Sequence, residues 1–258
     1  MTAPQFITSR DNPQLRALRK LAGDNTGYRA SGKIWVEGEH LCSAALLRGV
    51  RPALAVVAAS LWGDGKSPWS GVAPNTLVLS DALFKGISAL ESPCAIGFVL
   101  DLPPAFSLNA AVATVVLDRV QDAGNVGSIL RSAAAFGFQQ VIALRETAAL
   151  WSPKVLRAGM GAHFGLTLLE GLDADALASL QVPLVVTSSH EGALIQDARL
   201  PFPCAWVLGH EGQGVSPALV ARAALQVRIG QPGGEESLNV AAAAAICLHT
   251  SAAGARAS

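Results

Sequence analysis

The sequence predicts an α/β fold in which a small α/β domain precedes a larger domain built on a mostly parallel sheet. From residue 112 onward, short apolar runs alternate with stretches of helical spacing, as strands do with crossover helices. Before that point, Asp101–Asn109 contains Pro103-Pro104 and has the composition of a linker. We therefore predict domains of residues 1–104 and 105–258.

The composition predicts a folded protein with a large core. Of the 258 residues, 51% are hydrophobic and only 15% are charged, which disfavours disorder. No apolar run is long enough to span a bilayer, and the N-terminus lacks the apolar core of a secretion signal, so we expect no membrane partner. The cysteines and histidines are scattered, so we expect a cytoplasmic protein with unpaired thiols and no bound metal.

Charge is distributed unevenly along a chain whose formal net charge is zero. Residues 1–51 contain eight basic and four acidic residues, so this segment carries a net charge of +4. A basic segment of this kind suits a phosphate-rich partner, and it equally suits a solvated helix face. Charge alone leaves both interpretations open.

The predicted elements follow from local patterns. A turn signal at Ser9–Pro13 precedes leucines at helical spacing, and the apolar run Val112–Leu117 is typical of a strand covered on both faces. In the first domain we predict helices after Pro13 and at 39–47 and 81–90, and strands at 35–38, 54–58, 77–79 and 95–100. In the second we predict strands at 112–117, 141–144, 166–169, 182–187, 205–208 and 225–229, and helices at 126–136, 151–160, 174–180, 216–224 and from Val240 onward.

Three of the predicted strands end in glycine-rich loops, at residues 118–128, 209–216 and 230–239. In an open parallel sheet, ligands bind outside the carboxyl ends of the strands. The loops lack the dinucleotide, triphosphate and serine-hydrolase signatures, which disfavours those classes of enzyme. The polar side chains that these loops and the helix after the first of them offer are Asn125, Arg131, Glu211, Ser237 and Asn239.

Each of these side chains also has a purely structural interpretation. Asn125, Ser237 and Asn239 are residues that cap helices well. Glu211 could be a solvated loop acid, and Arg131 a surface residue of an amphipathic helix. The last loop alone reads most simply as an ordinary strand-to-helix turn.

Taken together, the three loops resemble a known family. Residues 118–133 read Asp-x-Val-Gln-Asp-x-Gly-Asn-Val-Gly-Ser-Ile-Leu-Arg-Ser-Ala, residues 208–216 read Leu-Gly-x-Glu-Gly-Gln-Gly-Val-Ser, and residues 233–241 read Gly-Gly-x-Glu-Ser-Leu-Asn-Val-Ala. These segments are similar, in the same order, to the three signature motifs of the SpoU/TrmH family of SPOUT-class RNA ribose methyltransferases.

The resemblance implies a trefoil-knotted domain that binds S-adenosylmethionine and methylates a ribose 2′-hydroxyl of structured RNA. It also implies a homodimer, for which the alanine-rich helix Val240–Ile246 is suited because small side chains permit close packing. The first domain, with Leu90-Glu91-Ser92-Pro93, looks like the RNA-binding domain that many members carry. By the same analogy we expect ribosomal RNA of the large subunit rather than transfer RNA.

The resemblance also implies roles for individual residues. Arg131, expected one turn into its helix, is the favoured catalytic residue; because a guanidinium stays protonated, we expect it to hold phosphate and stabilise the alkoxide. Glu211 is expected to form an ion pair with Arg131. The other implied catalytic residues are Asn125, Ser237 and Asn239, and the implied cofactor-binding residues are Gly209, Ile229, Gly230, Gly234 and Leu238.

One departure from the family pattern and two alternative functions remain. Members often have Pro-Met where this chain has Gly230-Gln231, and we expect cofactor binding to survive with altered loop stiffness. The alternatives are a non-catalytic RNA-binding or ribosome-assembly protein on the same scaffold, and a small-molecule enzyme with an ordinary doubly wound sheet. The intact set of polar residues favours the methyltransferase.

Overall fold

The computed structural model describes residues 3–63, 67–88, 94–188, 191–233 and 237–256. The chain divides into two compact units. The first comprises Met1–Pro104 and Trp151–Phe164, and the second comprises Ala105–Leu150 and Gly165–Ser258. Residues 151–164, which the sequence analysis assigned to the second domain, are thus counted with the first unit.

The elements follow in chain order. The strands are β1 (Gln5–Ile7), β2 (Lys33–Glu37), β3 (Leu54–Ala58), β4 (Asn75–Leu79), β5 (Ile96–Asp101), β6 (Thr114–Asp118), β7 (Gln140–Leu144), β8 (Thr167–Leu172), β9 (Leu184–Ser188), β10 (Ala193–Leu194), β11 (Ala205–Gly209) and β12 (Leu225–Arg228). The α-helices are α1 (Pro13–Gly23), α2 (Gly27–Ser31), α3 (Glu39–Leu47), α4 (Ala59–Trp62), α5 (Asp81–Lys85), α6 (Ala123–Ala135), α7 (Pro153–Gly159), α8 (Pro217–Val220) and α9 (Val240–Arg256). Two 3₁₀ turns cover Ala162–Gly165 and Ala174–Ser179.

The first unit contains a five-stranded mixed sheet in the order β1-β4-β3-β5-β2. Strands β1, β3 and β4 run parallel, and β5 runs antiparallel to β3 and β2. Helix α1 begins where the sequence predicts it, because Asn12 accepts hydrogen bonds from the backbone amides of Gln14 and Leu15. The predicted segment 90–93 lies outside the described residues.

Segment 151–164 is bound to the first unit by close packing. Helix α7 packs against β2. Just beyond it, Gly161 has a φ of 89°, and a Cβ atom at this position would press on the Cβ of Ala44 in α3. The sequence pattern indicates the helix itself, but not which of the two cores it covers.

The second unit is built on a seven-stranded sheet in the order β10-β12-β9-β11-β6-β7-β8. Every pair of neighbours in it is parallel, as the sequence analysis predicted. Two predicted helices are shorter or tighter than expected. Within the predicted helix 174–180, residues Ala174–Ser179 form a 3₁₀ turn instead of an α-helix, and α8 covers only four of residues 216–224. Short connections favour such tight turns.

Helix α9 closes one side of the second unit by packing on α6 and β11. Its buried face includes Ala244, Cys247, Leu248 and Ser251. The indole nitrogen of the fully buried Trp206 donates a hydrogen bond of 2.9 Å to the Ser251 hydroxyl. The small side chains therefore serve close packing within the chain. The trefoil knot stays a prediction, because the strand order alone does not establish threading.

The four cysteines are free thiols, three of them buried. Burial raises the pKa of Cys204 to about 12 and that of Cys247 to about 12, so both thiols are protonated at neutral pH. They act as small core residues. Among the described residues, the longest apolar helices fall short of what a bilayer crossing requires.

The packing of Trp35 against β5 generates a first prediction. Trp35 is buried, and a Cβ atom at Gly97 would overlap its ring. We expect Gly97→Ala to lower the free energy of unfolding by about 1–3 kcal/mol. The added methyl group would clash with the buried indole ring of Trp35, which cannot move without displacing its neighbours. Urea unfolding followed by tryptophan fluorescence measures the change.

Gly23→Ala is the matched control, since a Cβ atom at Gly23 meets nothing within 4 Å. Because alanine favours the helix, this control should unfold at the same or a slightly higher urea concentration. Equal midpoints for the Gly97→Ala protein and the unmodified chain would contradict the packing described for Trp35.

Candidate active site

The site lies at the carboxyl edge of the parallel sheet of the second unit. Strands β12, β9, β11 and β6 are consecutive neighbours in that sheet. Because they are parallel, the segments that follow them emerge at the same edge. The three glycine-rich loops predicted from the sequence come after β6, β11 and β12, and the end of β9 lies between two of them.

A hydrogen-bonded chain of three side chains joins these loops. Asn239 donates from Nδ2 to Oδ1 of Asn125 at 2.9 Å. Asn125 donates in turn from its own Nδ2 to Oε1 of Glu211 at 3.1 Å. Three of the five predicted catalytic residues therefore meet in one network, although they lie up to 114 positions apart in sequence.

Glu211 is further held by the backbone that leads into α6. Its carboxylate accepts hydrogen bonds from the amides of Gln121 at 3.3 Å and Asp122 at 3.1 Å. Partial burial by itself would raise the pKa of Glu211. Hydrogen bonds from Asn125 and from backbone amides outweigh it, so the pKa lies below its ordinary value. Glu211 is therefore a carboxylate at neutral pH and a weak base.

The helix caps differ in part from those expected. Helix α6 begins at Ala123, three residues earlier than predicted, and its cap is Asp122, which accepts from the amide of Asn125 at 2.7 Å. Asn125 lies within the first turn, so its side chain is available to the network. Asn239 does cap α9, because its Oδ1 accepts from the amides of Ala241 and Ala242.

The loop after β11 folds tightly on itself. His210 and Gly214 exchange backbone hydrogen bonds of 3.0 and 2.8 Å, and the Nδ1 atom of His210 accepts from the amide of Gly212 at 2.9 Å. A Cβ atom at Gly209 would overlap the backbone of Gly214 and Val215. Gly209 is required here for close approach of two backbone segments.

A second link between the β6 and β11 loops escaped the sequence analysis. Asp118, which is buried, accepts from Nε of Arg119 at 3.1 Å and from the amide of Ser216 at 2.6 Å. Arg119 donates to Oε1 of Gln213 at 2.7 Å and has a φ of 62°, unusual outside glycine. The sequence signal was an acid at the last position of a buried strand.

A cavity of about 650 Å³ lies at this edge of the sheet, lined by the β11 and β12 loops and the end of β9 but not by the β6 loop. Five predicted site residues line it: Glu211, Ile229, Ser237, Leu238 and Asn239. Gly230 stands between two lining residues, and Gly209 starts the loop that forms one wall. Gly234 lies outside the described residues. The volume falls in the range of pockets that hold small organic ligands.

The cavity also has lining residues that the sequence analysis did not select. They include Thr187, Ser188, Glu191, Gln226 and Gln231. The first two end β9 and Glu191 follows it. A polar end on an otherwise apolar strand was the available signal, but its position between β11 and β12 depends on the strand order.

Arg131 lies apart from this network, and its predicted ion pair with Glu211 is wrong for the single chain. Among the described residues, Arg131 is exposed and has no hydrogen-bond or ion-pair partner. It lies about 9 Å further along the axis of α6 than Asn125 and about a third of a turn around it. The carboxylate of Glu211 instead accepts hydrogen bonds from Asn125 and from two backbone amides.

Comparison with known proteins identifies the family. The sequence profile of the SpoU rRNA Methylase family matches residues 112–249. A 23S rRNA (guanosine(2553)-2′-O)-methyltransferase of Bacillus subtilis is 33% identical over 175 residues, covering 67% of this chain and 70% of that protein. An uncharacterized tRNA/rRNA methyltransferase of Synechocystis is 28% identical over 264 residues, covering 94% and 92%.

A solved structure extends the similarity to nearly the whole chain. The rRNA methyltransferase of Sinorhizobium meliloti with bound S-adenosylmethionine superimposes with a TM-score of 0.81 at 25% identity, covering 96% of this chain and 97% of that one. The resemblance stated from the three loops is thereby confirmed. Because the matched profile spans more than half of the sequence and contains all three loops, the chain belongs to the SpoU rRNA methylase family.

Proposed function

We propose that the protein transfers the methyl group of S-adenosylmethionine to a ribose 2′-hydroxyl of ribosomal RNA, in the large subunit. The observation that carries the proposal is the chain Asn239–Asn125–Glu211, which connects the three family loops beside one cavity. The name of the Bacillus subtilis relative, a 23S rRNA 2′-O-methyltransferase, supports the choice of RNA and of atom.

The residues present fit S-adenosylmethionine. The cavity combines apolar side chains, Ile229 and Leu238, with the carboxylates of Glu191 and Glu211. It also contains a buried polar atom without a partner among the described residues, Oε1 of Gln231. A ligand with a flat apolar ring, polar ring edges and an ammonium group suits these walls. When bound, it supplies an electrophilic methyl group on a sulfonium.

The contribution of the protein is mainly positioning. The three loops are tied together through side chains that are themselves held by helix amides, so the walls of the cavity are preorganised. Asn125 uses its amide group to hold Glu211 and to accept from Asn239. The carboxylate of Glu211 serves this framework, because its lowered pKa makes it a poor acceptor for the ribose proton.

Arg131 supplies positive charge for the RNA. Its guanidinium has no partner among the described residues, so it is available to hold a phosphate and to stabilise the developing alkoxide. It does not line the cavity of its own chain. A homodimer in which Arg131 of one copy completes the cavity of the other explains why Arg131 has no partner among the described residues and does not line the cavity of its own chain.

The trefoil knot and a cytoplasmic location, which suits four free thiols, are part of this proposal.

The proposed function makes a direct prediction. Deletion of the protein from its source cell should remove one ribose methylation from large-subunit rRNA, detected by mass mapping of total RNA, and re-expression should restore it. The purified protein should bind S-adenosylhomocysteine in calorimetric titration without added metal. An unchanged methylation map together with no heat of binding would contradict the proposed function.

Arg131 provides the second test of the reaction. Arg131→Ala should lower single-turnover methylation at saturating cofactor by about thirty- to a thousand-fold, because one charge-assisted contact in the transition state contributes about 2–4 kcal/mol. Arg131→Lys should lose most of the activity as well, since lysine lacks the planar fork. Affinity for S-adenosylhomocysteine should stay nearly unchanged.

The matched control is Arg199→Ala, which removes an exposed arginine of the same unit that does not line the cavity. It should retain full activity. If Arg131→Ala turns over at the rate of this control, the assignment of Arg131 to the active site is wrong.

The dimer is tested through the exposed face of α9. Ile246 is a large apolar residue with 39% of its surface exposed. We expect the full chain to sediment as a dimer at micromolar concentration, and Ile246→Lys to shift it toward monomer and lower activity. Leu47→Lys, at a residue of the first unit that is 86% exposed, should leave both unchanged. A monomeric full chain with normal activity would rule out the shared site.

A further inference from the structure

We propose that the side chain of Gln231 recognises the adenine ring of the cofactor through its 6-amino edge, a specificity contact made by this chain's own side chain. The inference rests on the proposed function and adds to it a residue that selects the nucleobase. It concerns the residue that follows Gly230 in the loop after β12.

The first observation is a buried, unsatisfied oxygen atom of the Gln231 side chain. Oε1 of Gln231 is buried and has no hydrogen-bond partner in the part of the chain that the structure describes. Buried polar atoms nearly always have a hydrogen-bond partner, and leaving one without a partner destabilises the protein. Gln231 also lines the 650 Å³ cavity. A ligand in that cavity can therefore supply the missing hydrogen bond.

The second observation concerns the surroundings of that amide. Ile229 and Leu238 line the same cavity. Gly230 brings the loop against β10, because a Cβ atom there would lie 3.3 Å from Cδ2 of Leu194. A cavity lined by aliphatic side chains and by an amide suits a flat ring whose faces are apolar and whose rim is polar.

The chemistry of the amide selects among the parts of the cofactor. A carboxamide presents one acceptor and one donor side by side in a plane. Adenine presents the complement, an amino donor beside a ring-nitrogen acceptor, and glutamine pairs with adenine in this bidentate way. The ammonium group is better matched by the carboxylates of Glu191 and Glu211, which line the cavity as well. The ribose hydroxyls have no rigid donor–acceptor pair in one plane.

The pairing also explains how an unpaired amide is tolerated. Methionine at this position would fill a similar volume but would leave the adenine edge without a side-chain partner. The unsatisfied oxygen of Gln231 lowers the stability of the ligand-free protein. Its hydrogen bond with the adenine ring restores that stability when the cofactor binds. A purely structural glutamine would show the opposite behaviour, because its removal would destabilise the empty protein.

The test is calorimetric binding of two ligands to the full-length protein and to Gln231→Met. The ligands are S-adenosylhomocysteine and its 6-deamino analogue, in which hydrogen replaces the amino group. Gln231→Met should weaken binding of S-adenosylhomocysteine by about five- to a hundred-fold, from 1–3 kcal/mol per bidentate pair. It should weaken binding of the analogue by less than about threefold, because the analogue lacks the donor for Oε1.

Two further measurements complete the design. The thermal midpoint of ligand-free Gln231→Met should equal or exceed that of the unmodified chain, since an unsatisfied polar group has been removed. Gln139→Met, at an exposed residue outside the cavity, should leave both affinities unchanged.

The outcomes separate this inference from the proposed function. Unchanged affinity of Gln231→Met for S-adenosylhomocysteine, or equal losses for both ligands, overturns the role of Gln231 while leaving the cofactor in place. Failure of the unmodified chain to bind S-adenosylhomocysteine overturns the proposed cofactor and this inference with it.

Discussion

Three polar side chains, one from each glycine-rich loop, form the hydrogen-bonded chain on which the candidate active site depends. Asn239 donates to Asn125, which donates to the carboxylate of Glu211. Both ends of the chain are anchored at helix N-termini, since Asn239 caps α9 and Glu211 accepts from amides that lead into α6. Helix N-termini carry unpaired amides and partial positive charge, which makes them suitable anchors for oxygen atoms. Three loops that are distant in sequence thereby become one rigid edge.

The shape of the cavity follows from that constraint together with the glycines. Gly209 allows the β11 loop to fold back onto Gly214, and the Asp118–Arg119–Gln213 contacts hold this loop against the end of β6. The positive φ of Arg119 is the kind of local strain that persists where the surroundings determine the backbone closely. Among the described residues, these contacts hold the walls of the cavity without a ligand, which lowers the ordering cost of binding.

The same network explains why Arg131 is left available. Glu211 is engaged by one amide side chain and two backbone amides, which is enough to satisfy a carboxylate. An arginine paired within its own chain would compete poorly for RNA phosphate, whereas an exposed one can bind it without first breaking an ion pair. In the proposed function, the cation that binds RNA and the cavity that binds the cofactor therefore lie on different parts of the surface of one chain. It also favours a site completed by a second copy.

The sequence by itself determined the α/β class, the parallel sheet and the three loops, because strand periodicity, apolar runs and glycine clusters are local properties. It also determined the family, since the motifs lie within short segments. Only the tertiary structure decided that Asn125 rather than Arg131 holds Glu211 and that Asp122 caps α6. It also decided that Oε1 of Gln231 is buried without a hydrogen-bond partner among the described residues. It likewise decided which unit residues 151–164 join. These outcomes depend on which strands are neighbours and on where each helix begins, and both are set by packing between residues far apart in the chain.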